Sequence, residues 1–490
     1  MDWRKEYKRK LVSAEEAVKV VKSGDRVGFG FPRQATLLTA ALAARSEELE
    51  NVEMMIHNPR VDDGWLQPDK KKAFDVTMYY FIGPVMRKWT DARMADYLPI
   101  IFSLESRALQ DWSQEGKGVD VYLSVVSPPD EHGFCSFGAN LWNKKTSARA
   151  ARKVIFEVDN TVLGTYGDNF IHVSEVDYFV EHTPKLISQE EFDKLTADDN
   201  PERRTLLQEI FNYFTPYQRS EHLSYLLKAD DATVESYYKI FGLGEIDSRL
   251  KDIAEHVKPL IRDGDTIQLG IAGISSYLPR LGVFDDRVDL GYHGEMAARG
   301  IGNLIKSGVI NGRRKTIHKE KAVFTSIEGF GPEELEFAHE NPLIELYDAE
   351  YVVNIKTVSA NPNMVSMNTA ISVDLMGQIN SEATFGNRMI GGAGGQPESH
   401  IGALLSPGGR AITLLRSTAL NGAASCIVPQ FDQGAIVTLP RYLADYVVTE
   451  YGVARLMGKP VRQRAEELIN IAHPDFRSEL RKTARELFYP

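Results

Sequence analysis

The chain has 490 residues, 43% of them hydrophobic, and a formal net charge of −11 at pH 7. No run approaches the roughly 18 continuous apolar residues of a membrane span, and no basic face is concentrated enough to neutralise nucleic-acid phosphates. Cys135 and Cys426 are too few and too isolated for a disulfide framework or a zinc cluster, so reduced thiols, a small-molecule ligand and no metal are expected.

The N-terminal stretch MDWRKEYKRKLVSAEE is basic but has no apolar h-region and no small-residue cleavage site, which predicts a cytoplasmic protein. A first helix opens in SAEEAVKVVKSGDRVGFGFP with a predicted capping box of Ser13 and Glu16 and closes at Gly24 before a strand that ends at Gly30. Helical patterns then alternate with short β-branched runs, the signature of an α/β protein with mainly parallel sheets. GFCSFG, residues 133 to 138, has its serine in the wrong place for a nucleophile elbow, and His132 with Cys135 lacks a third partner for thiol chemistry. Residues 183–245, rich in charge and aromatics, read as a helical insertion.

After the insertion, RLKDIAEHVKPLIRDGDTIQLGIAGI repeats the opening plan: helix, Gly264-Asp265 turn, strand Thr266 to Leu269, then Gly270. Gly24 to Gly30 and Gly264 to Gly270 have the same spacing, which predicts two similarly built open α/β domains, 1–182 and 246–490, joined by the insertion. Each offers a glycine-lined strand end where such sheets bind ligands. In DLGYHGEM, with Val288 to Tyr292 as a strand and Met296 to Ile305 as a helix, Glu295 falls at a helix N-terminus, where the macrodipole favours the ionised form. By position it is either a cap or a reactive carboxylate at the mouth of the sheet, and His293 two residues earlier reads as a packed, hydrogen-bonded histidine. LGIAGISS and MIGGAGGQ add glycines that can turn amide N–H groups toward an oxyanion. Pro474 splits the C-terminal helical pattern into two short helices.

Taken in order, SGDRVGFGFP, SPPDEHGFCSFG, GDNFIHVSEVDYFVE, DGDTIQLGIAGI, LGYHGEM, NMVSMNTAISVDLMGQI, GGAGGQ, STALNGAASCIVP and VVTEYGVARLMGK resemble the acetyl-CoA hydrolase/transferase family of coenzyme A transferases. The resemblance implies the CoA-transferase-like fold and a homodimer acting on acyl-CoA and small carboxylic acids. It makes Glu295 the nucleophile, oriented by Asn368. Ile271, Ala272, Gly273, Ile274 and Ser275 would line the coenzyme A site, with the Ile271 and Gly395 amides as oxyanion donors and Gly391 near the thioester. Gly30 and Pro32 would shape the acyl pocket, and Glu450 would mark a second carboxylate site. Two positions depart from the family's pattern: Leu420 stands where many relatives carry lysine, and VLGTYGD replaces a proline-arginine pair.

The implied reaction is ping-pong transfer of coenzyme A between acids through an anhydride and a glutamyl-CoA thioester. An acyl-CoA hydrolase using the same glutamate is the nearest alternative. A non-catalytic ligand sensor, in which Glu295 merely caps a helix, is the alternative from another class.

Overall fold

The computed structural model describes residues 2–31, 33–57, 67–79, 84–108, 118–184, 186–215, 219, 223–240, 242–271, 273–384 and 388–488. Pro32 and Ala272, expected at the site, lie outside the described residues. The chain packs into two compact units, 1–243 with 331–350, and 244–330 with 351–490. The expected second half was contiguous from 246, but residues 331–350 join the first unit. There the strand Ile344–Leu346 pairs in parallel with Tyr166–Gly167, Ala349 N–H donates to the Trp142 carbonyl, and Glu350 N–H donates to Asn143 Oδ1.

The first unit holds a sheet of β1 (Arg26–Phe29), β2 (Val52–Ile56), β3 (Phe74–Met78), β4 (Ala95–Tyr97), β5 (Val121–Val126), β6 (Lys153–Val158) and β7 (Tyr178–Glu181) in the order β7-β6-β5-β1-β2-β3-β4. All its pairings are parallel. The second unit's sheet comprises β8 (Thr266–Leu269), β9 (Gly291–Tyr292), β10 (Met364–Thr369), β11 (Arg410–Leu414), β12 (Tyr446–Thr449) and β13 (Gly452–Arg455), ordered β9-β8-β10-β11-β12-β13. Only the β12–β13 pair is antiparallel. Strands such as VYLSVV and RAITL are buried at every residue, as parallel sheets covered on both faces require.

The internal repeat holds in atomic detail. In each turn a positive-φ glycine, Gly24 or Gly264, precedes an aspartate whose carboxylate accepts the N–H three residues back, Lys22 in one case and Arg262 in the other. Each sheet also reverses direction beside the repeated strand, between β1 and β5 in the first unit and between β8 and β10 in the second. The carboxyl end of such a reversal is where open α/β sheets leave a crevice for ligands. Gly30 and Gly270 stand there, donating to the Leu123 and Met367 carbonyls at 2.8 and 2.9 Å. A Cβ at Gly30 would come within 2.2 Å of Ser124 Oγ, and one at Gly270 within 2.7 Å of Asn368 Oδ1. Glycine is required at both by this close approach.

Two expectations about local structure divide. Ser13 Oγ accepts from Glu16 N–H at 3.3 Å, but the Glu16 carboxylate turns to Lys19, so only half of the capping box forms. The 183–245 segment is helical, with Gln189–Leu195, Pro201–Tyr213 and Asp231–Ile240 gathered around Phe192, Leu207, Ile210 and Phe211. The helices Val461–Ile471 and Pro474–Phe488, split at Pro474, bury Leu468, Ile469 and Leu480 in the core of the second unit. Among the described residues, no helix is long and apolar enough to cross a membrane.

Candidate active site

Glu295 sits just beyond β9 in a backbone held from both sides. His293 N–H donates to the Ile267 carbonyl, Gly294 N–H to the Val323 carbonyl, and the Glu295 carbonyl accepts from Thr325 and Ser326 N–H at 3.0 and 3.1 Å. The helix expected from Met296 starts only at Ile301, after a left-handed Gly300, so Glu295 caps nothing in its own stretch of chain. Bonding to the Val323–Ser326 segment keeps residues 293 to 297 extended and delays the helix.

The helix terminus that Glu295 meets belongs to a distant segment. Its carboxylate accepts the Gly395 amide at the N-cap of the ten-residue helix Gln396–Leu405, and a Cβ at Gly395 would lie 2.1 Å from Glu295 Oε2. The dipole argument therefore applies through tertiary contact. It does not prevail: desolvation, and then the charge of Glu398 in that helix's first turn, push the Glu295 pKa up to about 8 against the single Gly395 hydrogen bond. The expected preference for the ionised form is overturned by burial. The side chain nonetheless stays partly open to solvent, so an incoming reactant can reach a carboxylate walled by protein on its other sides.

Beside this helix lies a buried polar network. Asn368 Nδ2 donates to Ser366 Oγ at 2.9 Å, Gln268 Oε1 at 3.2 Å and Ser399 Oγ at 3.3 Å, and Gln268 Nε2 returns a bond to Asn368 Oδ1 at 3.3 Å. Ser399 Oγ in turn donates to the Gln396 carbonyl. Asn368 therefore braces the helix whose N-cap meets Glu295 instead of bonding the carboxylate itself. The loop after β8 is anchored on the same strand, because Ser275 N–H donates to Thr369 Oγ1 at 3.1 Å. Ile271 stays partly exposed, Gly273 is exposed with φ +57°, and Ile274 and Ser275 are buried. Gly391 N–H donates to the Glu382 carbonyl at 3.2 Å.

This assembly can be set beside known proteins. The N-terminal domain of the acetyl-CoA hydrolase/transferase family matches residues 1–189 and its C-terminal domain residues 331–484. A 4-hydroxybutyrate coenzyme A transferase of Clostridium kluyveri is 36% identical over all of both chains, and a butyryl-CoA:acetate CoA-transferase of Anaerostipes caccae is 32% identical over 99% of this chain and 98% of its own. The chain belongs to the acetyl-CoA hydrolase/transferase family. The crystal structure of a 4-hydroxybutyrate CoA-transferase from Porphyromonas gingivalis superposes with a TM-score of 0.72 at 30% identity, covering 99% of this chain and all of that one. An acetyl-CoA hydrolase of Candida albicans is 32% identical over a shorter stretch, 30% of this chain and 28% of its own.

Around the family's glutamate position, several residues escaped sequence reasoning. Glu398 and Gln396 follow the glycine run in GGQPESH, and an acidic residue in a helix's first turn was the available signal for the first. Gln396 Nε2 is buried with no hydrogen-bond partner, next in sequence to the amide that holds Glu295. Gln268 and Ser366 were hidden inside strands that otherwise read as apolar. His293 is fully buried and its Nε2–H donates to the Val352 carbonyl at 2.8 Å, with a pKa pushed down to about 3 by burial and then by Lys315. It is a neutral packed histidine.

Other expected residues have their own partners. Glu450 accepts Ser417 N–H at 2.9 Å and Ser417 Oγ–H at 2.7 Å. Cys135 and Cys426 are buried and their thiols are pushed up to about 12 and 11, first by desolvation, which makes both poor nucleophiles. Leu420, at the family's lysine position, is 68% exposed at φ +51°. Among the described residues, no group of three or more His, Cys, Asp and Glu is arranged to hold a metal ion.

Proposed function

We propose that the protein transfers coenzyme A between a small acyl-CoA and a carboxylic acid, with Glu295 as the covalent carrier. The observation that carries this reading is a partly exposed carboxylate held against a backbone amide at the N-terminus of a ten-residue helix. Family membership supplies the acyl-CoA chemistry, and the full-length relatives carry transferase names.

In this reading ionised Glu295 attacks the thioester carbonyl, the C–S bond breaks, and a mixed anhydride forms as the coenzyme leaves as a thiolate. The thiolate then attacks the Glu295 carbonyl, releasing the first acid and leaving a glutamyl-CoA thioester. The second acid reverses both steps, so one activated acyl bond is always exchanged for another. The burial that raises the Glu295 pKa also makes its anion a stronger nucleophile than a solvated carboxylate. Amides of Ile271 and Gly395 would stabilise the tetrahedral oxyanion, each such donor being worth about 10²- to 10³-fold in rate. Residues 271–275 and Gly391 would receive the coenzyme, and Gly30, Pro32 and Glu450 the acid. Asn368 would fix the helix that presents Gly395.

Intact-protein mass spectrometry after mixing with acetyl-CoA tests this directly. Wild type should gain a coenzyme-sized adduct that hydroxylamine removes, and Glu295→Gln should gain none; an unmodified wild type would overturn the covalent reading. The partial match to an acetyl-CoA hydrolase favours hydrolysis as a second reading. Acyl-CoA consumption that does not respond to added acetate would assign the chain to that activity.

A further inference from the structure

The crevice at the carboxyl end of the first sheet contains a histidine that the mechanism above does not use. His57 immediately follows β2, Tyr79 immediately follows β3, and Phe31 lies two residues beyond the end of β1, so three adjacent parallel strands deliver these rings to one edge of the sheet. The His57 ring stacks on Tyr79 at 5.1 Å and 22°, lies 5.8 Å from Phe31, and meets the edge of Trp142 at 6.5 Å. It is 6% exposed.

Hydrogen bonding fixes the polarity of this ring. Glu350 N–H donates to Asn143 Oδ1, so the Asn143 amide must turn Nδ2 toward Glu105, which it meets at 2.6 Å. The other Glu105 oxygen is 2.6 Å from His57 Nε2. An ionised carboxylate only accepts, so the single proton of the neutral imidazole sits on Nε2. Nδ1 is left as an acceptor, buried and with no partner. An unmet buried acceptor costs about 1–3 kcal/mol, and here it lies among aromatic rings at the edge of a sheet where ligands bind.

We propose that His57 Nδ1 is a specificity-determining acceptor for a hydroxyl group on the acid or acyl chain, with the aromatic rings packing its methylenes. This rests on the transferase reading, in which the neighbouring Gly30 belongs to the acyl pocket. The favoured substrate class is the short hydroxy acid. A plain alkanoate leaves Nδ1 unmet, and a dicarboxylate brings a second anion toward a lone pair backed by Glu105.

The test compares kcat/KM for the three hydroxybutanoate isomers, butanoate and succinate as acceptors with acetyl-CoA as donor. Wild type should favour at least one hydroxybutanoate over butanoate by about tenfold or more. His57→Phe should bring that ratio to within about twofold, and His57→Gln, which restores an acceptor oxygen, should recover part of it. Glu105→Gln retains the ring and covers the case in which His57→Phe does not fold. Its amide oxygen would take the Asn143 donor, its NH₂ would face Nε2, and the imidazole proton would move to Nδ1; the hydroxyl preference should fall and succinate should rise relative to butanoate. Wild type without a hydroxyl preference, or a preference unchanged in all three variants, overturns the proposal. In the mass-spectrometric assay, an adduct on wild type alongside unchanged ratios rejects this proposal alone, whereas an absent adduct rejects the transferase reading with it.

Discussion

At the residue scale, Glu295 is a case of burial and backbone dipoles acting in opposite directions, with burial prevailing at a pKa of about 8. The nucleophile is the anion, so the rate of adduct formation should rise close to tenfold per pH unit between pH 6 and 7.5 and level off above 8.5. Rapid-quench mass spectrometry across that range checks it, and a flat profile from pH 5.5 to 7 would mean an ordinary carboxylate. The same shift has a stability consequence. The folded-state pKa is raised above the unfolded value, so the native protein loses stability as pH rises from about 4.5 through about 8. Glu295→Gln should therefore be more stable than wild type by an increment that grows across that window to the order of a few kcal/mol and then stays constant. Urea melts at pH 5, 7 and 9 read it out; an increment that is constant or falls with pH would contradict the assigned direction. Gly395→Ala should abolish adduct formation with little loss of fold, because the new methyl group would occupy the space of Glu295 Oε2.

At the scale of elements, the two halves repeat a helix, a glycine-aspartate turn and a strand ending in glycine, yet the two glycines of each repeat do different things. Gly24 has nothing within 4 Å of where a Cβ would point and is required only by its φ of +81°. Gly24→Ala should cost about 1–2 kcal/mol, the price of a left-handed residue. Gly30→Ala must also displace Ser124 Oγ and should cost clearly more, with Ser124→Gly recovering part of the difference. Chemical denaturation of the three variants measures this. Equal costs at Gly24 and Gly30 would show that the strand-end crevice relaxes freely.

On the scale of the whole molecule, the first unit is discontinuous in sequence. Residues 331–350 supply the Ile344–Leu346 strand, the Asp348 carboxylate that accepts from Thr146 Oγ1 at 2.5 Å, and the Glu350 amide that orients Asn143. A fragment ending at residue 243 should thus lack a cooperative thermal transition by circular dichroism, although the sheet's seven strands are all present. A sharp transition in that fragment would show that the returning segment is dispensable.

Much of this architecture was legible in the linear sequence. Buried parallel strands are nearly uninterrupted apolar runs, a helix followed by glycine-aspartate and a strand has a recognisable spacing, and Gly24–Gly30 recurs as Gly264–Gly270. These are local features, set by φ preferences and hydrophobic period. The position of Glu295 between a strand and a helix was also readable, although the conclusion that it lay at its own helix's terminus was not correct. Only tertiary structure brought the Gly395 amide and Glu398 to that carboxylate across a hundred residues of chain, joined Gln268, Ser366, Asn368 and Ser399 in one network, and returned residues 331–350 to the first unit. The physical reason is range: propensity and periodicity act over a few residues, whereas desolvation, charge proximity and the pairing of buried polar groups depend on which distant segments share a place in space.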